Sequence, residues 1–272
     1  AAPSPLSAGL ARDDRDLVYL LLIDRCHLVD AVFATLSVDS REQISTLVRS
    51  MSAGMVWSTR AFHSQGGVLE DQGQLAKYCR NVIGYPALFT LDQVSDRDIS
   101  GEVREDALLV SEMIQLANVT RDIETDLKRG VSYHPALKPY LGSEVSGTEV
   151  RSVVRKVREE LLAMALGRAP AYRRLFEGLE LGGTAPVRIA AVLMLLFTDL
   201  HYRSCALRTG HLPWPGPGGR FQVIARSLPA MMSPSWATHT IRRVESDFLG
   251  ALVSIRRDTG ASGVEHRPAR AT

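Results

Sequence analysis

Apolar residues recur at intervals of three and four along most of the chain, and no segment alternates between apolar and polar positions. This period is typical of α-helices that bury one face. Glycine, proline and capping residues interrupt the pattern. The sequence therefore predicts an all-α protein with helices over residues 15–36, 41–62, 69–89, 98–128, 148–166, 170–178, 186–207, 220–230 and 234–257.

The pattern also predicts which faces point inward and where helices break. In the first two helices the positions expected to face the core are Leu17, Leu20, Leu21, Leu28 and Val32, then Ile44, Leu47, Val48, Met51, Met55 and Val56. Pro86 is expected to kink or end the third helix, because proline lacks the backbone N–H that would continue it.

The breaks between the predicted helices resemble helix connections rather than linkers between domains. We therefore predict one helical domain over residues 14–257, with a flexible lead at 1–13 and a disordered tail at 258–272. The longest apolar run, residues 189–197, is too short to span a bilayer, so we expect no transmembrane segment.

The predicted helix over residues 98–128 carries polar side chains where a buried helix normally carries apolar ones. At about 100° per residue, five of them fall within about 80° of arc. This set, called the polar stripe below, is Ser111, Gln115, Asn118, Asp122 and Asp126. Leu116 and Val119 lie close to the stripe, which favours a buried stripe that needs partners or a ligand. A solvated helix face is the alternative.

The two aspartates of the stripe suggest what that ligand is. Asp122 and Asp126 are one helical turn apart, where like charges repel each other. Mg²⁺ binds through one or two carboxylates together with phosphate oxygens and water, so a cation between the two would relieve the repulsion. Arg121 and Arg129 flank the stripe and can hold phosphate oxygens. The stripe therefore predicts a metal-bound diphosphate site, unless it is simply solvated.

Composition narrows the remaining possibilities. The hydrophobic content of 45% and the charged content of 23% are those of an ordinary globular protein, and the net charge of +2 gives no global field for nucleic acid. The three cysteines have no metal-ligand or disulfide spacing, which favours a reducing compartment.

His27, His63 and His201 are expected to be core or surface histidines. The C-terminal arginines can contact RNA or an acidic protein, with solvated faces as the alternative: Arg220, Arg226, Arg242, Arg243, Arg256, Arg257, Arg267 and Arg270.

Three segments carry a family pattern. The stripe and the residues after it read Asn118-Val-Thr-Arg121-Asp122-Ile-Glu-Thr-Asp126 and Arg129-Gly130-Val-Ser-Tyr133-His-Pro135. Upstream lie Met51-Ser-Ala-Gly54-Met55 and Tyr78-Cys79-Arg-Asn-Val82-Ile-Gly84. The first pattern resembles the second aspartate-rich motif of the squalene/phytoene synthase family, and the other two resemble that family's Gly-Met stretch and its Y-C-x-x-V-A-G helix. The resemblance runs from about residue 14 to 210.

The resemblance implies an isoprenoid-synthase-like bundle of α-helices around a central cavity. Active members of the family join two prenyl diphosphates head to head, with Mg²⁺ as the cofactor. Carried over to this sequence, the resemblance implies that Asp122 and Asp126 are the catalytic Mg²⁺ ligands, that Gln115 and Asn118 support them, and that the diphosphate end is lined by Arg121, Arg129 and Tyr133.

The sequence departs from the family pattern at four places. Thr125 stands where the family has glutamate, Val131 where it has arginine, and His134 where it has leucine. The family's first aspartate-rich motif has no clear counterpart, since Asp13, Asp14 and Asp16 are placed like a helix cap or a solvated turn.

Two interpretations follow from these departures. Either an active enzyme has its first motif outside this chain, which then lacks the family's first helices, or the family fold has lost its chemistry. We favour the second interpretation because half of a two-sided metal clamp leaves the diphosphate charge under-neutralised. By the resemblance to degenerate mitochondrial relatives that assist complex I assembly, we then expect an assembly or interaction factor with protein partners. The expected location is the mitochondrion, or otherwise the cytoplasm.

Overall fold

A computed structural model describes residues 14–95, 98–179, 184–210 and 219–262. Within these ranges the all-α prediction is confirmed, since the backbone forms helices, no strand, and one isolated bridge between Val68 and Ser132. The α-helices are α1 Asp14–Asp24, α2 Cys26–Ala34, α3 Val38–Ser64, α4 Gln72–Cys79, α5 Tyr85–Val94, α6 Gly101–Lys128, α7 Thr148–Leu166, α8 Ala169–Gly178, α9 Ala185–Thr209, α10 Arg220–Ser227, α11 Pro229–Met232 and α12 Pro234–Ser262.

The chain divides into two compact units, residues 1–49 and 50–272. The predicted single domain over 14–257 stays a prediction, and the predicted lead at 1–13 lies outside the described residues. At the other end α12 continues to Ser262, and the rest of the predicted tail lies outside the described residues.

The first unit corrects the prediction of one helix over 15–36. A turn at Arg25 separates α1 from α2, and α2 has no buried residue. Leu28 and Val32, expected to face a core, are exposed. A unit with helices of 11 and 9 residues cannot enclose much apolar surface by itself. The apolar period therefore marked helical residues, but it identified neither the turn at Arg25 nor a buried face.

The second unit is built around α6, which packs against α7, α8 and α9. These helices and α12 enclose one apolar core whose largest fully buried side chains include Met113, Leu116, Leu127, Leu162, Leu166, Leu196, Tyr202, Ile241 and Phe248. A polar side chain on the inner faces of α6 therefore lies either in this core or at its edge.

The part of α3 that belongs to the second unit buries small residues rather than large ones. Gly54 and Ser58 are buried, whereas Met55 and Val56, predicted to face inward, are exposed, as is Val48 in the first unit. A Cβ atom added to Gly54 would lie 2.7 Å from Cβ of Asn81. Helix α3 thus approaches its neighbour on the face where side chains are smallest, and this is why the prediction from apolar period was wrong.

The segment between α4 and α5 is a π-helical turn over Arg80–Gly84. Pro86 does not end the helix, since the helical path continues through it to Val94, and the alternative prediction of a kink stays a prediction. Pro86 lies in the first turn of α5, where a missing N–H is tolerated. At Gly84 an added Cβ would lie 2.9 Å from Cδ2 of Leu108 and 3.2 Å from Oγ of Ser111. The glycine therefore lets this turn rest directly on the polar stripe of α6.

Helix α9 is, among the described residues, the one helix long and apolar enough to cross a membrane by length and composition. It also carries buried charged side chains that have partners inside the protein. Arg203 Nε donates to Asp199 Oδ1 at 2.8 Å, and Arg188 Nε donates to the Ala230 carbonyl at 3.0 Å. A core helix meets the same criteria of length and composition.

Candidate functional site

Helix α6 places all five residues of the polar stripe on one continuous helix of 28 residues. Its first turn is capped by Ser100, whose side chain accepts a hydrogen bond from the Val103 N–H at 3.3 Å. The first two members of the stripe are more buried than the last three. Ser111 and Gln115 are buried, while Asn118, Asp122 and Asp126 are partly exposed. The stripe therefore begins in the core and ends at a surface that a ligand can reach.

The buried half of the stripe has hydrogen-bond partners on its own helix. Ser111 Oγ donates to the Leu108 carbonyl at 2.7 Å. Asn118 Nδ2 donates to Gln115 Oε1 at 3.1 Å, so the two amide side chains hold each other. This leaves Asn118 able to support a neighbouring carboxylate one turn further along α6.

Asp122 is engaged by the residue beside it. Arg121 Nε donates to Asp122 Oδ1 at 2.7 Å, and the second guanidinium nitrogen bonds Oδ2 of the same carboxylate. This bidentate hydrogen bonding holds the pKa of Asp122 below its ordinary value. Both oxygens of Asp122 are thus already paired with a cationic group in this arrangement.

Asp126 is in the opposite electrostatic position. Its nearest cationic partner is Arg129, at 3.8 Å from Nη1 to Oδ1. Burial raises the pKa of Asp126, and repulsion from the Asp122 carboxylate raises it further. Asp126 is therefore the carboxylate of the pair whose charge is left under-neutralised, while most of the Arg129 side chain is exposed to solvent.

Tyr133 is brought to the stripe by a loop contact. After α6 the chain pairs with the loop after α3, where the Ser132 N–H donates to the Gly67 carbonyl at 2.8 Å. Gly67 has φ +90°, and an added Cβ would lie 2.4 Å from the Gly130 carbonyl oxygen, so only glycine fits there. The hydroxyls of Tyr133 and Tyr78 then lie 3.2 Å apart. Phe62 packs edge-on against both rings.

Burial raises the pKa of both tyrosine hydroxyls. At Tyr78, hydrogen bonds to Tyr133 and Gln115 oppose this effect in part, and the charge of Asp126 adds to it. Tyr78 thus joins the stripe to Tyr133. The sequence pattern contains Tyr78 as part of a motif, and no spacing signal predicts its place at the site.

His201 is a residue that sequence analysis missed. It was expected to be an ordinary core or surface histidine, but its Nε2 lies 3.1 Å from Nη1 of Arg121. Burial lowers the pKa of His201, and the positive charge of Arg121 lowers it further. Because α9 contributes this histidine from 80 positions further along the chain, the spacing on α6 gave no signal for it.

A small depression, open to solvent, adjoins the exposed end of the polar stripe. Asp126, Val131, Tyr133 and His134 are among its lining residues. His134 Nε2 lies 3.0 Å from Glu160 Oε2, and its Nδ1 accepts the Ala136 N–H. The histidine that departs from the family pattern is therefore held by its own local contacts.

The donor set fits one side of a Mg²⁺–diphosphate site. Asp122 and Asp126 are the acidic members of the stripe, and the described residues contain no group of three or more His, Cys, Asp or Glu side chains able to hold a metal ion. One or two carboxylates suffice for Mg²⁺ only when phosphate and water supply the other ligands. The residues of the stripe thus do not form a two-sided clamp by themselves.

Comparison with known proteins identifies the ancestry of the chain. The family model described as squalene/phytoene synthase matches residues 11–215. No curated protein and no solved structure matches the chain significantly. The family match spans the stripe, the Tyr78 helix and all of α9, and it covers well over half of the 272 residues. The chain therefore belongs to the squalene/phytoene synthase family.

Proposed function

We propose that this protein is a catalytically degenerate member of its family that acts as an assembly or interaction factor in a larger protein complex. The observation that carries the proposal is the engagement of Asp122 by Arg121. Arg121 therefore competes with a Mg²⁺ ion for both oxygens of Asp122. Ligand binding would have to break that ion pair first.

The departures at the edge of the site support the same proposal. Thr125 and Val131 remove one negative and one positive charge that the family pattern places beside the stripe. Val131 instead lines the depression with an apolar surface. Electrostatic stabilisation is usually the largest contribution to such catalysis, so the loss of charged groups weakens it more than the loss of shape.

The proposed setting is mitochondrial, by the resemblance to degenerate relatives in that compartment, and the proposed partners are proteins. RNA contact through the arginines of the C-terminal region is the alternative to a protein partner, although Arg242 also pairs with Glu177 at 3.2 Å. Microscopy of the tagged full-length protein tests the location: co-localisation with a mitochondrial marker supports it, and diffuse cytoplasmic signal contradicts it.

The loss of catalysis is tested by incubating the protein with Mg²⁺ and farnesyl or geranylgeranyl diphosphate. We expect no head-to-head product above the level of a no-protein control. Product that forms in proportion to protein concentration, and that disappears in Asp122→Asn, would overturn the proposal. The matched comparison is the protein expressed from the full-length coding sequence, including any upstream D-x-x-x-D helix that this sequence encodes. It is assayed in the same way.

A second candidate function is retained Mg²⁺-dependent prenyl diphosphate transfer. The observation that favours it is Asp126, because burial and repulsion both raise its pKa and a bound cation would relieve both effects. This candidate predicts that the protein binds farnesyl diphosphate only when Mg²⁺ is present. In calorimetry, Asp122→Asn should abolish that binding, whereas Glu102→Gln in the exposed first turn of α6 should not. Unchanged binding in Asp122→Asn would rule the candidate out.

A further inference from the structure

Residues 220–232 form a nearly continuous helical segment in the second unit. Helix α10 ends at Ser227, Leu228 keeps right-handed helical dihedrals, and α11 follows at once from Pro229. One side of this segment is fixed to the core, because Val223, Ser227 and Ala230 are buried. The Arg188 guanidinium adds hydrogen bonds to the carbonyls of α11. The segment is therefore anchored along one face.

A neighbouring face of the same segment is apolar and exposed. Phe221 is 81% exposed and Met232 is 87% exposed. Their spacing, i, i+3, i+7, i+10 and i+11, places all members within about 100° of arc at 100° per residue. The exposed stripe consists of Phe221, Ile224, Leu228, Met231 and Met232. Single exposed hydrophobic residues are ordinary, but five on one anchored face form a patch that marks an interaction surface.

Trp236 continues this patch onto α12. It is partly exposed, and its indole Nε1 donates to the Arg226 carbonyl at 3.1 Å. The ring is thereby held against the end of α10. A tryptophan whose indole N–H is hydrogen-bonded and whose ring is partly exposed to solvent is typical of surfaces at an apolar–water boundary.

The charged side chains of the segment itself are both basic, while two arginines near it in the sequence, Arg203 and Arg242, pair with acidic residues. From residue 200 to residue 244 the sequence has no Asp or Glu and six arginines. Arg220 and Arg226 belong to α10 itself and are exposed. The whole chain has a net charge of only +2, so this region is locally basic against a nearly balanced background. Its complement is an anionic surface that can also receive apolar side chains.

We propose that the α10–α11 segment docks on the surface of an anionic lipid bilayer, with the apolar stripe in the interface and Arg220 and Arg226 near the headgroups. An amphipathic helix with basic residues and exposed Phe, Leu and Met side chains has the chemistry of an interfacial helix. Nucleic acid would engage the arginines but would leave Phe221 and Met232 in water. The proposal is independent of whether the polar stripe of α6 is catalytic.

The test is co-sedimentation of the whole protein with vesicles. We expect binding to vesicles of about seven parts phosphatidylcholine to three parts phosphatidylglycerol, weak binding to pure phosphatidylcholine, and weaker binding to the anionic vesicles as salt rises. Phe221→Ser with Met232→Ser should lower the partition coefficient about tenfold or more, because two exposed apolar side chains no longer enter the interface. Both side chains are exposed, so circular dichroism and the melting temperature should be unchanged.

The control is Met55→Ser with Val253→Ser, which removes two exposed apolar side chains outside the stripe and should leave the partition coefficient unchanged. Arg220→Glu with Arg226→Glu should reduce binding to anionic vesicles and remove most of its salt dependence. Three results would overturn the proposal. They are a lack of binding to anionic vesicles, equal binding by the variant with Phe221→Ser and Met232→Ser, and an equal loss in the control variant. Binding of a single-stranded RNA oligonucleotide through Arg220 and Arg226 without any vesicle binding would also overturn it.

Discussion

Two acidic residues of α6, Glu112 and Asp126, show how differently one helix can treat a carboxylate. Glu112 is 1% exposed and receives hydrogen bonds from Arg80 at 2.6 Å and from Arg168 at 2.5 Å. Asp126 is only partly buried, yet its closest cation is Arg129 at 3.8 Å, and Asp122 repels it. The more buried group is thus the better neutralised one.

This difference shows which carboxylate stabilises the fold and which one remains available for a ligand. A buried ion pair is tolerated only when the partners satisfy each other's hydrogen bonds, as the two arginines do for Glu112. A carboxylate near the surface that keeps an uncompensated charge gains nothing from the fold. Asp126 is therefore the carboxylate that the fold leaves available for a ligand, while Glu112 holds α6 in place.

The largest expected effect on stability comes from removing the Glu112 side chain. Glu112→Ala leaves Arg80 and Arg168 without their buried partner, so we expect a loss of about 3–5 kcal/mol in the free energy of unfolding. Urea denaturation followed by circular dichroism measures it. The matched control is Glu105→Ala, which removes the exposed partner of Arg80 at 2.7 Å and should cost less than about 1 kcal/mol. Similar losses in both variants would show that Glu112 is no more structural than a surface residue.

A smaller effect on stability is expected at Gly84, where the turn before α5 packs closely against α6. In Gly84→Ala the new Cβ meets Leu108 at 2.9 Å and Ser111 at 3.2 Å. Overpacking of this kind costs about 1–3 kcal/mol, measured as above. Gly101→Ala, in the first turn of the same helix with nothing within 4 Å, should instead be neutral or gain up to about 1 kcal/mol from helix propensity. A neutral Gly84→Ala would mean that the helices can separate at the stripe.

Helix α6 itself could be predicted from the sequence almost to its ends. The expected range was 98–128, and the structure has Gly101–Lys128. A capping serine, a regular apolar period and a following glycine with φ +77° bound the helix locally. The polar stripe is likewise a property of one helix, so spacing alone placed its members on one face.

The partners of the stripe could not be predicted in the same way. Glu112 lies only about 60° from Gln115 at 100° per residue, so periodicity does not separate it from Asp126. Its arginine partners lie 32 and 56 positions away, and only the fold brings them together. His201 reaches Arg121 across 80 positions for the same reason. The helical period specifies which residues share a face of α6, whereas tertiary packing determines which distant residues contact that face.

The smallest expected effect compares the two stripe carboxylates by pH. The raised pKa of Asp126 means that its ionised form is disfavoured in the folded state, so its contribution to stability is present at acid pH and is lost as pH rises through the folded pKa. Asp126→Asn removes this cost and should gain about 0.2–0.5 kcal/mol at neutral pH, the size of one like-charge pair on a helix. The gain should vanish below the ordinary pKa of 3.8.

Asp122→Asn should behave in the opposite way. The Arg121 ion pair lowers the pKa of Asp122, so its stabilisation is present above the ordinary pKa and is lost as pH falls through the folded pKa. Because this pair is partly exposed, the variant should lose only about 0.2–1 kcal/mol at neutral pH. Denaturation curves of both variants across the acid range measure the two trends without any ligand. Trends of the same sign would mean that Arg121 does not distinguish the two carboxylates and that Asp122 is not held by its neighbour.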